Sequence, residues 1–402
     1  MRRGFFPLDE ELALLPGRYA PFIQHSMARL GTWMPFFRVP REIAHFTGVT
    51  VSRETVRRIT ERSGAALVAL ETAEADRIEQ EAPTPPEGPA IQQLSADGAM
   101  IPLVGGIWAE VKTLVTGQVE QRPNREGVLL PHATDLGYFS RLADAELFRR
   151  LALVATHRAG TETAGRVCAV ADGAEWLQGF VDFHRPDAVR ILDFPHAAEH
   201  LHSAAEAVFG AGSPTLRTWE EEQKKELREG DPDRVLAALR ALPATTEEAR
   251  TSRNEVVSYL DKRREQIAYA QFREQGYPIG DGSVESANKL VVEARFKGAG
   301  MHWARPNVNP LLSLRGAACS DRWDERWNQL CGHIQQERAA HRRERHPLRQ
   351  PLPVADPVEP VALPVPPPVA EPTPPRTKQV VNGRPTPDHP WRRFSLTSCA
   401  KT

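Results

Sequence analysis

A chain of 402 residues, 41% of them hydrophobic, is long enough for two or three domains that each bury a core. Fifty-one basic against 52 acidic side chains leave a formal charge of −1, which excludes a surface coated evenly in positive potential. There is no run of about 18 apolar residues, residues 1–6 lack the apolar stretch of a secretory leader, and Cys168, Cys319, Cys331 and Cys399 form neither a CxxC pair nor a disulfide framework. A cytoplasmic protein with reduced thiols and no membrane partner is expected.

Residues 12–74 space apolar side chains three and four apart, which predicts a small all-helical domain over 1–80. Within it, residues 39–46, the turn Thr47-Gly48-Val49-Thr50, and residues 52–63 with Ser52 as N-cap read as a helix-turn-helix. Residues 1–70 hold ten arginines against six carboxylates, so Arg53, Arg57 and Arg58 on the second helix are candidates for DNA phosphates. The string Glu81-Ala-Pro-Thr-Pro-Pro-Glu-Gly-Pro89 predicts a proline-rich linker over 81–90. Two strands, 92–103 and 107–119, then form a hairpin about Gly105-Gly106, and residues 138–156 read as a helix. Apolar runs at 166–171 and 188–192 each stop at an aspartate, Asp172 and Asp193. Such runs are expected of buried strands in an α/β sheet, where ligand sites gather at strand ends.

Residues 199–275 are charged, helix-prone and strand-free. They read as an all-helical insertion between a first sheet-forming part, 91–198, and a second, 276–345. Helices are expected at 284–296 and through most of 303–335. Lys289, Arg295, Lys297 and Arg305 crowd into a stretch whose only acid after Glu285 is Glu293, and Trp303 lies among them. These are further DNA-binding candidates, the indole as a platform for an unpaired base. Beyond residue 345, proline and valine repeats predict a disordered tail over 346–402.

Three carboxylates stand where a metal site is useful: Asp97 inside the first strand, Asp172 at the end of a later one, and Glu285 at the start of a helix. Hard cations such as Mg2+ or Mn2+ take carboxylate oxygens and keep several waters. By spacing alone, Asp97-Gly98 and Asp172-Gly173 read first as turns.

A set of strings in fixed order adds to this. Gly4-Phe-Phe-Pro-Leu-Asp9, Ser95-Ala-Asp-Gly98 with Trp108-Ala-Glu-Val-Lys112, Val170-Ala-Asp-Gly-Ala-Glu-Trp176, Ile191-Leu-Asp-Phe-Pro-His-Ala-Ala-Glu-His-Leu201, Gly280-Asp-Gly-Ser-Val-Glu-Ser286 and Arg295-Phe-Lys-Gly-Ala-Gly-Met-His-Trp303 span most of residues 4–327. Together they resemble the ISKra group of insertion-sequence transposases, relatives of the Mutator-like enzymes. The resemblance implies a ribonuclease H-like catalytic domain interrupted by a helical insertion. It also implies a DDE triad at Asp97, Asp172 and Glu285 holding Mg2+ or Mn2+, with DNA cleavage and strand transfer at terminal inverted repeats and into target DNA, and a homo-oligomer in a synaptic complex. Asp193 rivals Asp172, because Asp193 and His196 resemble a Cys/Asp-x-x-His motif of Mutator-like and related transposases; the alternative for Asp193 is a simple helix cap. The family pattern also has a cysteine-bearing segment ahead of the Gly4 string, so that element is either degenerate here or encoded upstream. Two other outcomes stay open: a non-catalytic DNA-binding protein derived from a transposase, and a ribonuclease H-like nuclease without strand transfer.

Overall fold

The computed structural model describes residues 19–345 and a short pairing of Val380–Val381 with Arg384–Pro385. The chain divides after Arg345 into two units, and the first carries the elements that follow. Apart from that short pairing, the tail expected to be disordered over 346–402 lies outside the described residues, as do residues 1–18.

Five strands form one mixed sheet: β1 (Ile91–Pro102), β2 (Trp108–Pro123), β3 (Leu129–Arg141), β4 (Arg166–Ala171) and β5 (Val189–Leu192). Their order is β3-β2-β1-β4-β5. The first three run as an antiparallel meander, while β4 and β5 lie parallel to β1 and to each other. Residues 167–170 of β4 are buried without interruption, as a strand covered on both faces requires. Gly105 (φ 91°) and Gly106 (φ 75°) turn the chain between β1 and β2 in a conformation that side chains resist.

Part of the helix expected over 138–156 is a strand. Tyr138 to Arg141 pair with Val115 to Lys112. Tyr138 and Phe139 suit a strand, and pairing with β2 decides a segment whose local pattern does not alternate. The helical signal begins only at α4 (Ala145–Leu151), capped by the Asp144 carboxylate accepting the Leu147 N–H at 2.8 Å, and continues in α5 (Leu153–Arg158).

At the N-terminal end lie α1 (Pro21–Trp33), α2 (Val39–Thr47) and α3 (Arg53–Glu81). Gly48 (φ 71°) ends α2 and Ser52 Oγ accepts the Thr55 N–H at 3.1 Å, so the expected turn and cap are both present. However, α3 runs 29 residues, far past residue 63. Its middle is buried against α14 (Val308–Cys319), with Gly64 pressed onto Pro310 and Leu67 against Leu314, and it carries Glu71 inside. The proline-rich segment after α3 is pinned to the loop before β4: Gly88 N donates to Thr163 Oγ1 at 2.8 Å and Gly165 N to Pro89 O at 3.0 Å.

After α6 (Glu175–His184) and β5 comes a strand-free stretch: α7 (Phe194–Phe209), α8 (Pro214–Glu229), α9 (Pro232–Arg240), α10 (Glu247–Asp261) and α11 (Tyr269–Glu274). Its apolar faces share a core with the sheet, Leu227, Leu239, Leu260 and Tyr269 joining Val170, Ile191 and Leu192. Where one regular helix is expected over 284–296, α12 (Gly282–Ala287) passes through a π-helical turn (Asn288–Glu293) into α13 (Ala294–Phe296). Such turns recur at functional sites, because the extra residue re-aims the side chains around it. Beyond α14 the unit ends in α15 (Trp323–Arg345). Among the described residues no helix is long and apolar enough to cross a membrane.

A candidate active site on three neighbouring strands

Strand register brings the acids together. The last pair of the β1–β4 ladder is Leu94 with Ala169, and the last pair between β4 and β5 is Ala171 with Leu192. Continuing those rows places Asp97, Asp172 and Asp193 at one level across three neighbouring parallel strands: Asp97 inside β1, Asp172 and Asp193 just past the C-terminal ends of β4 and β5.

Asp97 is partly buried and held at both oxygens. Oδ1 accepts the Gly98 N–H at 2.6 Å and Oδ2 accepts Asn288 Nδ2 at 2.8 Å. Burial pushes its carboxyl above the usual carboxylate range, and the charges of Asp172 and Glu110 add to the effect. Asp172 sits in a tight turn in which its Oδ1 accepts the Ala174 N–H at 2.9 Å, and Gly173 follows at φ 81°.

Asp193 caps α7 as one reading of the sequence expects: its Oδ2 accepts the His196 N–H at 3.0 Å. Its other oxygen accepts the Asp281 N–H at 2.7 Å, across to the start of α12. Burial raises the Asp193 carboxyl despite these bonds, and the charge of Glu285 raises it further. His196 and His200 approach each other on α7, with their Nε2 atoms 3.3 Å apart.

Glu285 is exposed on α12, with Oε2 4.0 Å from Lys289 Nζ. The structure therefore sets Asp97 beside Asp172, and Glu285 within electrostatic reach of Asp193. The two groups are joined by the helix itself, since Asn288, three residues after Glu285, reaches Asp97.

Sequence reasoning missed two members. Asp281 is buried beneath the rim, hydrogen-bonded by Ser95 and facing Ser283 Oγ at 3.4 Å; burial pushes its carboxyl well above the usual range, and Asp193 and Asp97 add to the rise. Gln93 of β1 braces this corner by donating to Ser283 Oγ at 2.9 Å. The Asp281-Gly282 pair reads as a turn, and nothing in its spacing marks it as buried. Asn288 was open to discovery as the residue one turn beyond Glu285. Its Oδ1 is buried with no hydrogen-bond partner. Among the described residues, no group of three or more His, Cys, Asp or Glu side chains is close enough together to hold a metal ion by itself.

The DNA-binding candidates separate into three classes. Arg53, Arg58, Lys289, Lys297 and Arg305 are exposed, Lys297 being paired with Glu293 at 2.6 Å. Arg57 is half-buried and held by Glu54 (2.6 Å) and Glu61 (2.9 Å). With Arg53, Phe37, Val104 and His302 it lines a groove of about 440 Å³. Arg295 and Trp303, expected to face DNA, are instead packed inside. The Arg295 guanidinium donates to Gly31 O and lies 4.8 Å from the Phe36 ring and 4.9 Å from the Trp303 ring. Trp303 Nε1 donates to Phe296 O at 3.1 Å. A cation 2% exposed between two rings and a carbonyl has no face left for a phosphate.

No protein-family model matches the chain, and no curated protein matches it.

Proposed function

We propose that the chain is a DDE-type transposase similar to the ISKra group, binding insertion-sequence ends and cutting and joining DNA with Asp97, Asp172 and Glu285. The sheet supports a ribonuclease H-like reading of the catalytic part: an antiparallel meander, then two strands parallel to its first, with a strand-free helical stretch before the last acid. In this reading residues 1–80 bind DNA, 81–90 connect, 91–198 and 276–345 form the catalytic domain, 199–275 are the insertion, and the assembly is a homo-oligomer holding two ends. Exposed Arg53, Arg58, Lys289 and Arg305 are the cations suited to phosphates.

The observation that carries the proposal is the neighbourhood of Asp97 and Asp172, acids at one level on the adjacent parallel strands β1 and β4, where the charge of Asp172 adds to burial in raising the Asp97 carboxyl. The donor set fits magnesium or manganese. Magnesium is commonly held by one or two carboxylates with waters and substrate phosphates completing the shell, and the unpartnered Asn288 Oδ1 adds a neutral oxygen beside Asp97. When bound there, the metal supplies activation of a water or 3′-hydroxyl and neutralises charge at the leaving oxygen. The protein's own part is orientation: Asn288 Nδ2 fixes Asp97, the Ala174 N–H fixes Asp172, and the Asp193–Asp281 bond seats the helix that carries Glu285.

The test is nicking and joining of DNA carrying the sequences that flank the gene. Asp97→Asn and Asp172→Asn should each reduce cleavage by about 10³-fold or more while DNA binding persists. Glu285→Gln should fall as far, and Asp193→Asn far less. A dead Asp193→Asn beside an active Asp172→Asn would move the second acid to Asp193. A second reading, a DNA-binding protein derived from a transposase, is favoured by the Glu285 side chain lying towards Lys289. It is adopted if the wild-type chain binds these ends and cuts none of them.

A further inference from the structure

The strand-free helical stretch does more than cover one face of the sheet; it grips the two strand ends that carry Asp172 and Asp193. Tyr259, near the end of α10, donates its hydroxyl to Asp172 O at 2.7 Å. Arg263, one turn later, donates through Nη2 to Gly173 O at 2.7 Å. Tyr269, at the start of α11, donates to Leu192 O at 2.8 Å, the carbonyl just before Asp193.

The Tyr259 ring is fixed on both sides. The Arg263 guanidinium lies 3.9 Å from its centroid, and the His200 ring stacks on it at 4.0 Å and 27°. His200 belongs to α7, the helix that Asp193 caps, so the clamp on one acid's turn is built partly on the helix of the other. Gly173 registers how closely the clamp is applied. A Cβ there would meet Arg263 Nε and Tyr259 Oη, each at 2.7 Å, in a backbone conformation (φ 81°) that already excludes most side chains.

Buried carbonyls must find donors somewhere, and any fold satisfies most of them. Here the donors converge on two consecutive peptides, those of Asp172 and Gly173, and come from one short segment about 90 residues further along the chain. A turn held at its backbone has its carboxylate aimed, because the Asp172 Oδ1 bond to Ala174 N fixes the side chain to the same turn.

We propose that Tyr259 and Arg263 are positioning residues that set the Asp172 carboxylate, so that seating of the helical stretch on the sheet is a condition for an ordered acid site. The inference rests on the reading of Asp172 as a metal-holding acid. Two variants test it in the full-length chain. Tyr259→Phe removes the hydroxyl and keeps the stacked ring, and Arg263→Met removes the donor while keeping an unbranched, flexible side chain. Hydrogen exchange is measured on the metal-free protein over the peptide spanning residues 171–177, and end cleavage is measured separately. Exchange of the turn amides should rise about tenfold in each variant. Cleavage should fall about ten- to hundredfold, as expected when a reacting geometry loosens by a fraction of an ångström to one ångström, with melting temperature and DNA binding retained. Raising the magnesium concentration should recover part of the loss in Tyr259→Phe, which a simple packing role would not produce. Unchanged exchange in both variants, or faster exchange with wild-type cleavage, overturns the proposal. If the wild-type chain itself cuts nothing, the transposase reading fails, and the exchange measurement alone decides whether the clamp orders the turn.

Discussion

Two groups of acids sunk into the described part of the molecule have opposite surroundings. Glu71, inside α3, is enclosed by donors: Arg141, Arg326 at 2.9 Å and Ser313 at 2.8 Å. Burial alone would raise its carboxyl, yet the two guanidinium groups outweigh burial and hold it below the usual range. Within β1, at the end of β5 and at the start of α12, Asp97, Asp193 and Asp281 are all raised, by burial first and then by one another or by neighbouring acids. The first arrangement is complete as it stands. The second places acids together with too little positive charge, a pattern that structural ion pairs do not need and that metal-holding sites do.

This contrast makes predictions of opposite sign. The largest concerns Glu71→Ala, which leaves the buried Arg141 without its carboxylate and Arg326 with Glu74 alone, and should cost about 3–5 kcal/mol of unfolding free energy. Denaturant titration checks it, and a loss below 1 kcal/mol would mean that the cluster is no tighter than a surface pair. Magnesium gives the next effect. If the acid rim binds it, a concentration one hundred times the dissociation constant should stabilise the folded chain by about 2.7 kcal/mol, and Asp97→Asn should abolish that gain in a thermal melt. Equal stabilisation of wild type and variant would place the cation elsewhere.

The smallest effect is at Asp281. A carboxyl raised in the folded state contributes stability that is fully present below its unfolded value and is lost as pH rises through its folded value. Asp281→Asn removes that loss and leaves an oxygen to accept from Ser95. The variant should therefore melt higher than wild type at neutral and alkaline pH, with the advantage vanishing below the ordinary carboxylate range. A variant that melts lower than wild type at every pH would show that the ionised form is structural, as at Glu71.

How much of this was legible in the sequence follows from what local pattern can carry. The runs 166–171 and 188–192 stop at Asp172 and Asp193 because buried strands end where polar side chains begin, so those ends were readable. The helix-turn-helix outline and the Ser52 cap were readable for the same reason. Strand β3 was not: Tyr138 to Arg141 take their conformation from pairing with β2, a contact that periodicity does not encode. Nor was the continuation of α3 past residue 63, where Gly64 packs on Pro310 and Glu71 accepts from Arg326, both from much later in the chain. At the site, charge misled where burial decided. Arg295 was counted as a DNA contact by its sign, and it is enclosed by Phe36, Trp303 and Gly31 O. Asp281, Asn288, Tyr259 and Arg263 were missed because their roles depend on tertiary approach between segments up to about 190 residues apart.

Asp97 and Asp172 are proposed to hold a divalent cation between two neighbouring strands, β1 and β4. Ferrous ion in place of magnesium, with ascorbate and hydrogen peroxide, cuts the polypeptide next to wherever the ion resides, and mass spectrometry locates the cuts without any knowledge of the DNA substrate. The account predicts scission within residues 96–98 and 171–174, suppressed by excess Mg2+ and lost in Asp97→Asn. Scission confined to the neighbourhood of His196 and His200, or cuts that persist unchanged in Asp97→Asn, would contradict it.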